Sequence, residues 1–370
     1  MELTNVKVFG EDGQFHDENL YTDQKLISEK SRDSITIDGE GCYVIPGLVD
    51  IHFHGCDGHD FCEGTLEAME KIAQYELSQG ITSICPATMT FAEEKLSQIC
   101  SQAAVFQSDK GTTLCGINLE GPFISEAKKG AQNPKYIRKP DIAMFRRLQE
   151  TAKGLIKLVD IACESEGAME FIEELKGEVR ISLAHTTANY EMATMAFVAG
   201  AKHVTHLYNA MLPYTHREPG VVGAACDVAD CMVELICDGV HIHPSVIRTT
   251  FKMFGDDRIC LISDSMMATG MPDGDYSLGG QHVKVLGRNA TLEDGTLAGS
   301  VTNLMECMKT AVKNGIKLES AVKCATVNPA KAIGVFDKYG SCEVGKVANL
   351  VLLDANLQIK KIIFEGKIWK

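Results

Sequence analysis

The chain has 370 residues, of which 45% are hydrophobic and 23% charged, enough apolar material for a large core and too balanced for disorder. Its formal net charge is -14, which repels nucleic acid and anionic membrane surfaces and removes both as expected partners. A small anionic substrate stays open, because one local cluster of donors can hold it.

Met1 to Gly10 alternates polar and apolar residues and lacks a basic-then-apolar signal pattern. No apolar run reaches membrane-spanning length. The fourteen cysteines are scattered through strand-like segments (Cys85, Cys115, Cys163, Cys237, Cys260), where Cys acts as a small hydrophobe. A cytoplasmic chain with reduced thiols is expected.

Met1 to Ile45 keeps the alternation and reads as antiparallel strands. Eight short apolar runs follow: Tyr43 to His54, Ile81 to Met89, Leu114 to Gly121, Leu155 to Cys163, Val179 to Thr186, Lys202 to His206, Met232 to Asp238 and Arg258 to Asp264. Runs this short and unalternating suit strands buried on both faces. Helical stretches separate them. Leu66, Met69, Ile72, Ala73 and Leu77 mark one helix face, with Thr65 as N-cap and Gly80 as stop. Glu170 to Leu175 and Glu191 to Ala199 read similarly. Eight strand-helix units predict an α/β fold, a (β/α)8 TIM-type barrel. Asp275 to Ser300 predicts a β-hairpin insertion after the eighth strand. Asn349 to Asp354 and Lys360 to Phe364, followed by a Glu365-Gly366 turn, predict strands that pair with the N-terminal ones. The expected division is 1–46 plus 335–370 as a small sheet domain and 47–334 as the barrel.

Ligand-type residues fall at the ends of these runs. His52 and His54 end the first, Glu120 the third, His185 the fifth, His206 the sixth and Asp264 the eighth. All C-terminal strand ends of such a barrel meet at one mouth. A lone His at a strand end is ordinarily structural. Four His, one Glu and one Asp in register with the repeat point instead to a metal site. This donor set favours zinc, or iron or manganese, with one or two ions per subunit. One ion would use Glu120, His185 and His206, and a second His52 and His54, with an oxygen from Glu120 or Asp264. Asp264 ends an apolar strand, where a carboxylate is costly unless used, and it is the expected general base. The bland reading is a ligand or a helix cap. His16 and His282 are expected to be exposed, His203 packed, and His59 a loop residue near the mouth.

Several segments resemble a known family. Ile45-Pro-Gly-Leu-Val-Asp-Ile-His-Phe-His-Gly55 is similar to the first-strand motif of the amidohydrolase superfamily. Leu119-Glu-Gly-Pro-Phe123, Ala184-His-Thr186, Thr205-His-Leu-Tyr-Asn-Ala-Met211, Asp238-Gly-Val-His241 and Leu297-Ala-Gly-Ser300 resemble the N-acetylglucosamine-6-phosphate deacetylases, and the match runs on to Gly345-Lys-Val-Ala-Asn-Leu350. The resemblance implies a barrel with a small β-sandwich, a homodimer and hydrolysis of a sugar-phosphate acetamide. It implies Glu120, His185 and His206 as ligands of the main metal and Asp264 as catalytic acid/base. Ala131, Asn209, Ala210, Arg217, His241 and the turn Leu297, Ala298, Gly299 would bind the substrate, with Arg217 on the phosphate, reaching in from the neighbouring subunit. Gln132 stands where some relatives have His. The competing readings are a deacetylase for the galactosamine epimer, a cyclic-amide hydrolase bridging two metals through a modified Lys157, and a sugar-phosphate binding protein without catalysis.

Overall fold

The computed structural model describes residues 1–32 and 35–370. The eight apolar runs become eight parallel barrel strands. In order they are Leu48–Asp50, Ile81–Ile84, the broken third strand Thr113–Leu114 with Ile117–Leu119, Ile156–Ile161, Arg180–Leu183, His203–Val204, Met232–Ile236 and Ile259–Ile262. Parallel registers link the first to the second strand (Leu48 to Ile81) and the third through to the eighth. The ring is completed by backbone hydrogen bonds at two seams. The Asn118 N–H donates to Pro86 O at 2.9 Å, and at the other seam the Asp264 N–H donates to His52 O at 2.9 Å.

Inside the ring, Val49, Ile51, Cys85, Leu158, Met232, Ile236, Cys260 and Ile262 form one apolar plug. A larger cluster fills the layer between strands and helices. Each fully buried Val, Leu or Ile stabilises by about 1.5–3 kcal/mol, so the barrel is held mainly by this two-sided burial. The helix expected after the first strand runs Leu66–Ser78. Thr65 Oγ1 accepts the Ala68 N–H at 3.2 Å, and Gly80 ends the helix at φ +80°. Met69, Ile72, Ala73 and Leu77 of the expected stripe are buried, joined by Ala68 and Glu76, whereas Leu66 at the first turn is exposed. The other two expected helices are Ala168–Leu175 and Tyr190–Ala199.

Both chain ends share one eight-stranded sheet, as expected from their alternation. One expectation fails there. Glu2–Phe9 and Thr36–Pro46 pair in parallel, because the intervening short strands Leu20–Asp23 and Leu26–Ser28 provide a crossover. Alternation reports one buried face and is silent on strand direction. Leu350–Leu353 and Ile359–Phe364 are antiparallel as expected, and the turn carries positive φ at both Glu365 and Gly366. The insertion is larger than a hairpin: Gly274–Leu278, Gln281–Leu286 and Asn289–Thr291 form a three-stranded antiparallel sheet. No helix is long and apolar enough to cross a membrane, among the described residues.

Candidate active site

The barrel mouth gathers the six residues expected there. Glu120 is central. Its Oε1 lies 2.9 Å from His185 Nε2 and 3.2 Å from His206 Nε2, and its Oε2 lies 3.4 Å from His54 Nε2. Asp264 Oδ1 lies 3.4 Å from His54 Nε2 and 3.8 Å from His52 Nε2. All are buried.

The backbone is bent to place them. His185, His206 and Asp264 follow the ends of their strands at φ +44°, +30° and +49°. Non-glycine residues avoid this region at a cost of about 1–2 kcal/mol each, and such strain concentrates at functional sites. Two glycines let the chain pass close by. A Cβ on Gly121 would sit 2.0 Å from Thr90 Oγ1, and one on Gly299 would sit 2.9 Å from the Asp264 carbonyl oxygen.

Partners behind the ring set the proton positions. The His185 Nδ1–H donates to the Lys128 carbonyl at 2.8 Å, so its Nε2 offers a lone pair to the centre. The His52 Nδ1–H donates to Glu234 Oε2 at 2.9 Å, and the same oxygen accepts the His206 backbone N–H at 3.1 Å. The His241 Nδ1–H donates to Asp238 Oδ2 at 2.8 Å, leaving Nε2 unengaged. Gln132 ties the floor down. Its Nε2–H donates to Glu120 Oε2 at 2.8 Å while its Oε1 accepts the Thr90 N–H at 2.7 Å. Gln132 and Glu234 were not assigned a role from the sequence. Glu234 carried a usable signal, since an acid inside Met232-Val-Glu-Leu-Ile236 is costly unless it is paired.

The electrostatics suit a cation. Burial opposes a charge on His52, yet Glu234, Glu120 and Asp264 outweigh it and hold the ring well above its ordinary value. His54 is raised the same way, against burial, by Asp264 and Glu120. Burial pushes Glu120 up, but the His185 and His206 rings against its Oε1 and the His52 and His54 rings beside it hold it well below the usual carboxylate range. Asp264 is held low against burial by His54. With neutral rings, three carboxylates would lie buried without compensation. His52 Nε2 has no hydrogen-bond partner although buried, and His185 Nε2 and His206 Nε2, both turned toward Glu120 Oε1, lie 3.1 Å apart. Two triads have ligand atoms within 4.8 Å of one another, His52, Glu120, His206 and His52, His54, Asp264. This donor set suits a divalent ion.

A cavity of about 360 Å³ opens above the cluster. His54, Glu120, His185, His206, His241 and Asp264 form its chemical wall, and Ala131, Asn209, Ala210, Leu297 and Gly299 also line it, as expected. Lys128, Gln132 and Thr296 line it as well. Ala298 is fully buried behind the turn, and Arg217 lies on an exposed loop outside the lining. The inserted sheet reaches the rim, where the Gln281 side-chain amide donates to the Ala131 carbonyl. Lys157 is the second residue of the fourth strand, at the far end of the barrel, so it cannot bridge metals at the mouth. His59 pairs with Glu63 beside the first strand, His203 is packed against Ser182, and His16 and His282 are exposed, bonded to Asp12 and Asp275.

The amidohydrolase family profile matches residues 43–369. N-acetylglucosamine-6-phosphate deacetylase of Bacillus subtilis is 39% identical over 332 residues, covering 88% of this chain and 84% of that one. N-acetylgalactosamine-6-phosphate deacetylase of Escherichia coli O157:H7 is 33% identical, over 87% of this chain and 86% of its own. Among solved structures, the N-acetyl-D-glucosamine-6-phosphate deacetylase of Mycobacterium smegmatis, in complex with N-acetyl-D-glucosamine-6-phosphate, superposes with a TM-score of 0.92 at 31% identity, covering 100% of this chain and 99% of that chain. The enzyme of Thermotoga maritima gives 0.89 at 30% identity, with the same coverage. With these likenesses spanning both barrel and terminal sheet, the chain belongs to the amidohydrolase family, in its N-acetylglucosamine-6-phosphate deacetylase group.

Proposed function

We propose that this chain hydrolyses N-acetyl-D-glucosamine 6-phosphate to D-glucosamine 6-phosphate and acetate. The observation that carries the reading is the convergence of His54, His185 and His206 with Glu120 and Asp264 on the floor of a cavity sized for a small ligand, with His52 directly behind them. Glu120, His185 and His206 would hold one divalent ion, zinc by donor type. His52 and His54, with an oxygen of Glu120 or Asp264, would hold a second. A bound ion there supplies water activation and polarisation of the acetyl carbonyl.

The chain's own residues do the rest. Asp264, ionised despite burial, accepts the proton of the attacking water and returns it to the departing amine nitrogen. His241 faces the cavity through Nε2. Burial lowers its affinity for a proton, but Asp238 more than reverses this, so the ring is raised above its ordinary value. A protonated His241 donates to the carbonyl oxygen as charge builds there. Glu234 and Gln132 position His52 and Glu120. The Leu297-Ala298-Gly299 turn, Ala131, Asn209 and Ala210 would hold the sugar phosphate. Arg217 would reach the phosphate of a neighbouring subunit's substrate, which makes the working unit a homodimer.

Two further readings belong to the proposal. The terminal sheet would form a β-sandwich domain of residues 1–46 and 335–370 beside a barrel of 47–334. Leu20 and Ile27 from one end of that sheet share an apolar cluster with Leu350 and Ile363 from the other, and Leu26 bridges to Val347, as a sheet folded over its own core requires. A cytoplasmic location is supported by the fourteen cysteines, all unpaired.

Acetate release from the purified protein tests the function, before and after metal stripping and re-addition, with the galactosamine epimer and the unphosphorylated sugar alongside. Metal-dependent release strongest with the glucosamine phosphate is expected. Preference for the epimer would shift the assignment to the galactosamine ester. Binding without acetate release, in metal-loaded protein, would leave only a binding function.

A further inference from the structure

The far end of the barrel carries a second cavity, also about 360 Å³, with the opposite chemistry. It opens where the fourth, fifth and sixth strands begin and the helix Val327–Ala332 ends. Lys157, Lys176, Arg180, Lys202 and Lys331 line it. Five cations around one hollow are unexpected in a chain of net charge -14.

Most of them are uncommitted. Lys202 pairs with Asp230 at 2.8 Å, and the acidic lining residue, Glu178, is held by Arg146 at 2.6 Å. Arg180 donates through Nε to the Ala332 carbonyl at 2.6 Å, which aims its fork while its terminal nitrogens have no hydrogen-bond partner among the described residues. Lys331 rests over the Phe336 ring, 4.9 Å from its centroid. Lys157, Lys176, Arg180 and Lys331 have no ion pair among the described residues. Burial lowers Arg180, and Asp230, already paired with Lys202, opposes that only in part.

The ordinary explanation is that these cations answer the helix C-termini gathered at this face. Helices Ile142–Thr151, Ala168–Leu175, Tyr190–Ala199 and Val327–Ala332 all end here. Each contributes about half a negative charge, about two in total. Four uncommitted cations exceed that by about two charges. A phosphate monoester carries about -1.5 to -2 at neutral pH, and a guanidinium fork matches two of its oxygens.

We propose that this hollow is a binding site for a small phosphorylated metabolite, with Arg180 as the fork and Lys157, Lys176 and Lys331 as its cationic rim. The site is separate from the mouth. Arg180 opens the strand that His185 follows, so the two lie about 16 Å apart along the chain at strand rise.

Acylation of lysines by acetic anhydride, read by peptide mass spectrometry, reports the site locally. Labelling of Lys176 and Lys331 is compared in inorganic phosphate, in glucose 6-phosphate and in chloride at equal ionic strength, with exposed Lys284 and Lys367 as references. Phosphate or the sugar phosphate should cut labelling of Lys176 and Lys331 by about threefold, the protection expected at a few times Kd. Protection by both ligands would make the phosphate group the determinant, and protection by glucose 6-phosphate alone would make it the sugar ester. Arg180→Gln should remove the protection. Lys157→Gln repeats that test on a residue that anchors no backbone carbonyl. Equal labelling in all three solutions, or protection that survives both substitutions in folded protein, overturns the proposal.

Discussion

The two ends of the barrel invert each other. The fifth and sixth strands run from Arg180 and Lys202 at one end to His185 and His206 at the other. At the mouth, carboxylates and imidazoles crowd into a buried cluster that calls for positive charge. At the far end, cations stand around a hollow with the nearby carboxylates already paired. Strand interiors are sealed mostly by apolar side chains, so a buried polar group there needs a partner, as Glu234 has in His52, and the exposed chemistry gathers where strands stop. The mouth adds strain to this, with left-handed backbone at His185, His206, Ala210 and Asp264, whereas Arg180, Lys157 and Lys331 have no such strain.

The sharpest way to separate the two ends is Asp264→Asn. It should lower kcat for acetate release by about 10²- to 10⁴-fold, the span of a general acid–base group, while metal content by elemental analysis stays near wild type. Loss of metal together with activity would instead make Asp264 chiefly a ligand. Glu234→Gln comes next. Removing the carboxylate behind His52 should weaken metal affinity by about 10- to 100-fold, measured by competition with a chromophoric chelator. An unchanged affinity would mean that Glu234 serves only the barrel core.

A third variant probes a carboxylate that serves neither end. Glu76 is buried on the first barrel helix with no hydrogen-bond partner for either oxygen, and burial pushes its carboxyl up to about 8. The folded state therefore holds a proton that the unfolded chain has lost, and stability falls as pH rises from about 4.5 to about 8. Asp50, raised by burial to about 7, adds to the same slope. Glu76→Gln should flatten that slope in urea unfolding and gain about 2 kcal/mol at pH 8. A slope unaltered by the substitution would place the proton elsewhere. The smallest effect is expected at the far end of the barrel. Lys176→Gln with Lys331→Gln should leave kcat and KM for acetate release within about twofold of wild type, since neither lysine faces the mouth.

Much of this was legible beforehand. Eight apolar runs became eight strands, and the residues ending them met at one mouth because parallel strands share a direction. The helix over Leu66–Ser78 announced both ends through Thr65 and Gly80. Three features were hidden for specific reasons. The parallel pairing of Glu2–Phe9 with Thr36–Pro46 leaves no trace in alternation, which is the same for either direction. Gln132 reads as an ordinary loop polar residue until its two bonds, to Glu120 and to Thr90, are seen. Arg217 has a clear charge and motif, yet it stands on an exposed loop outside the cavity lining, because the path of a loop is set by packing and not by spacing.

By itself, the sequence determined the periodicity, and with it the strand-helix alternation and the clustering of donors at one end, because side-chain direction along a strand is local geometry. Only the tertiary structure decided which nitrogen of each histidine faces the centre, which carboxylates lie behind them, and where four lysines and an arginine from distant segments enclose a hollow. Those facts depend on which atoms touch across the barrel. Contacts between residues tens to hundreds of positions apart are set by packing and carry no signature in the spacing of the chain.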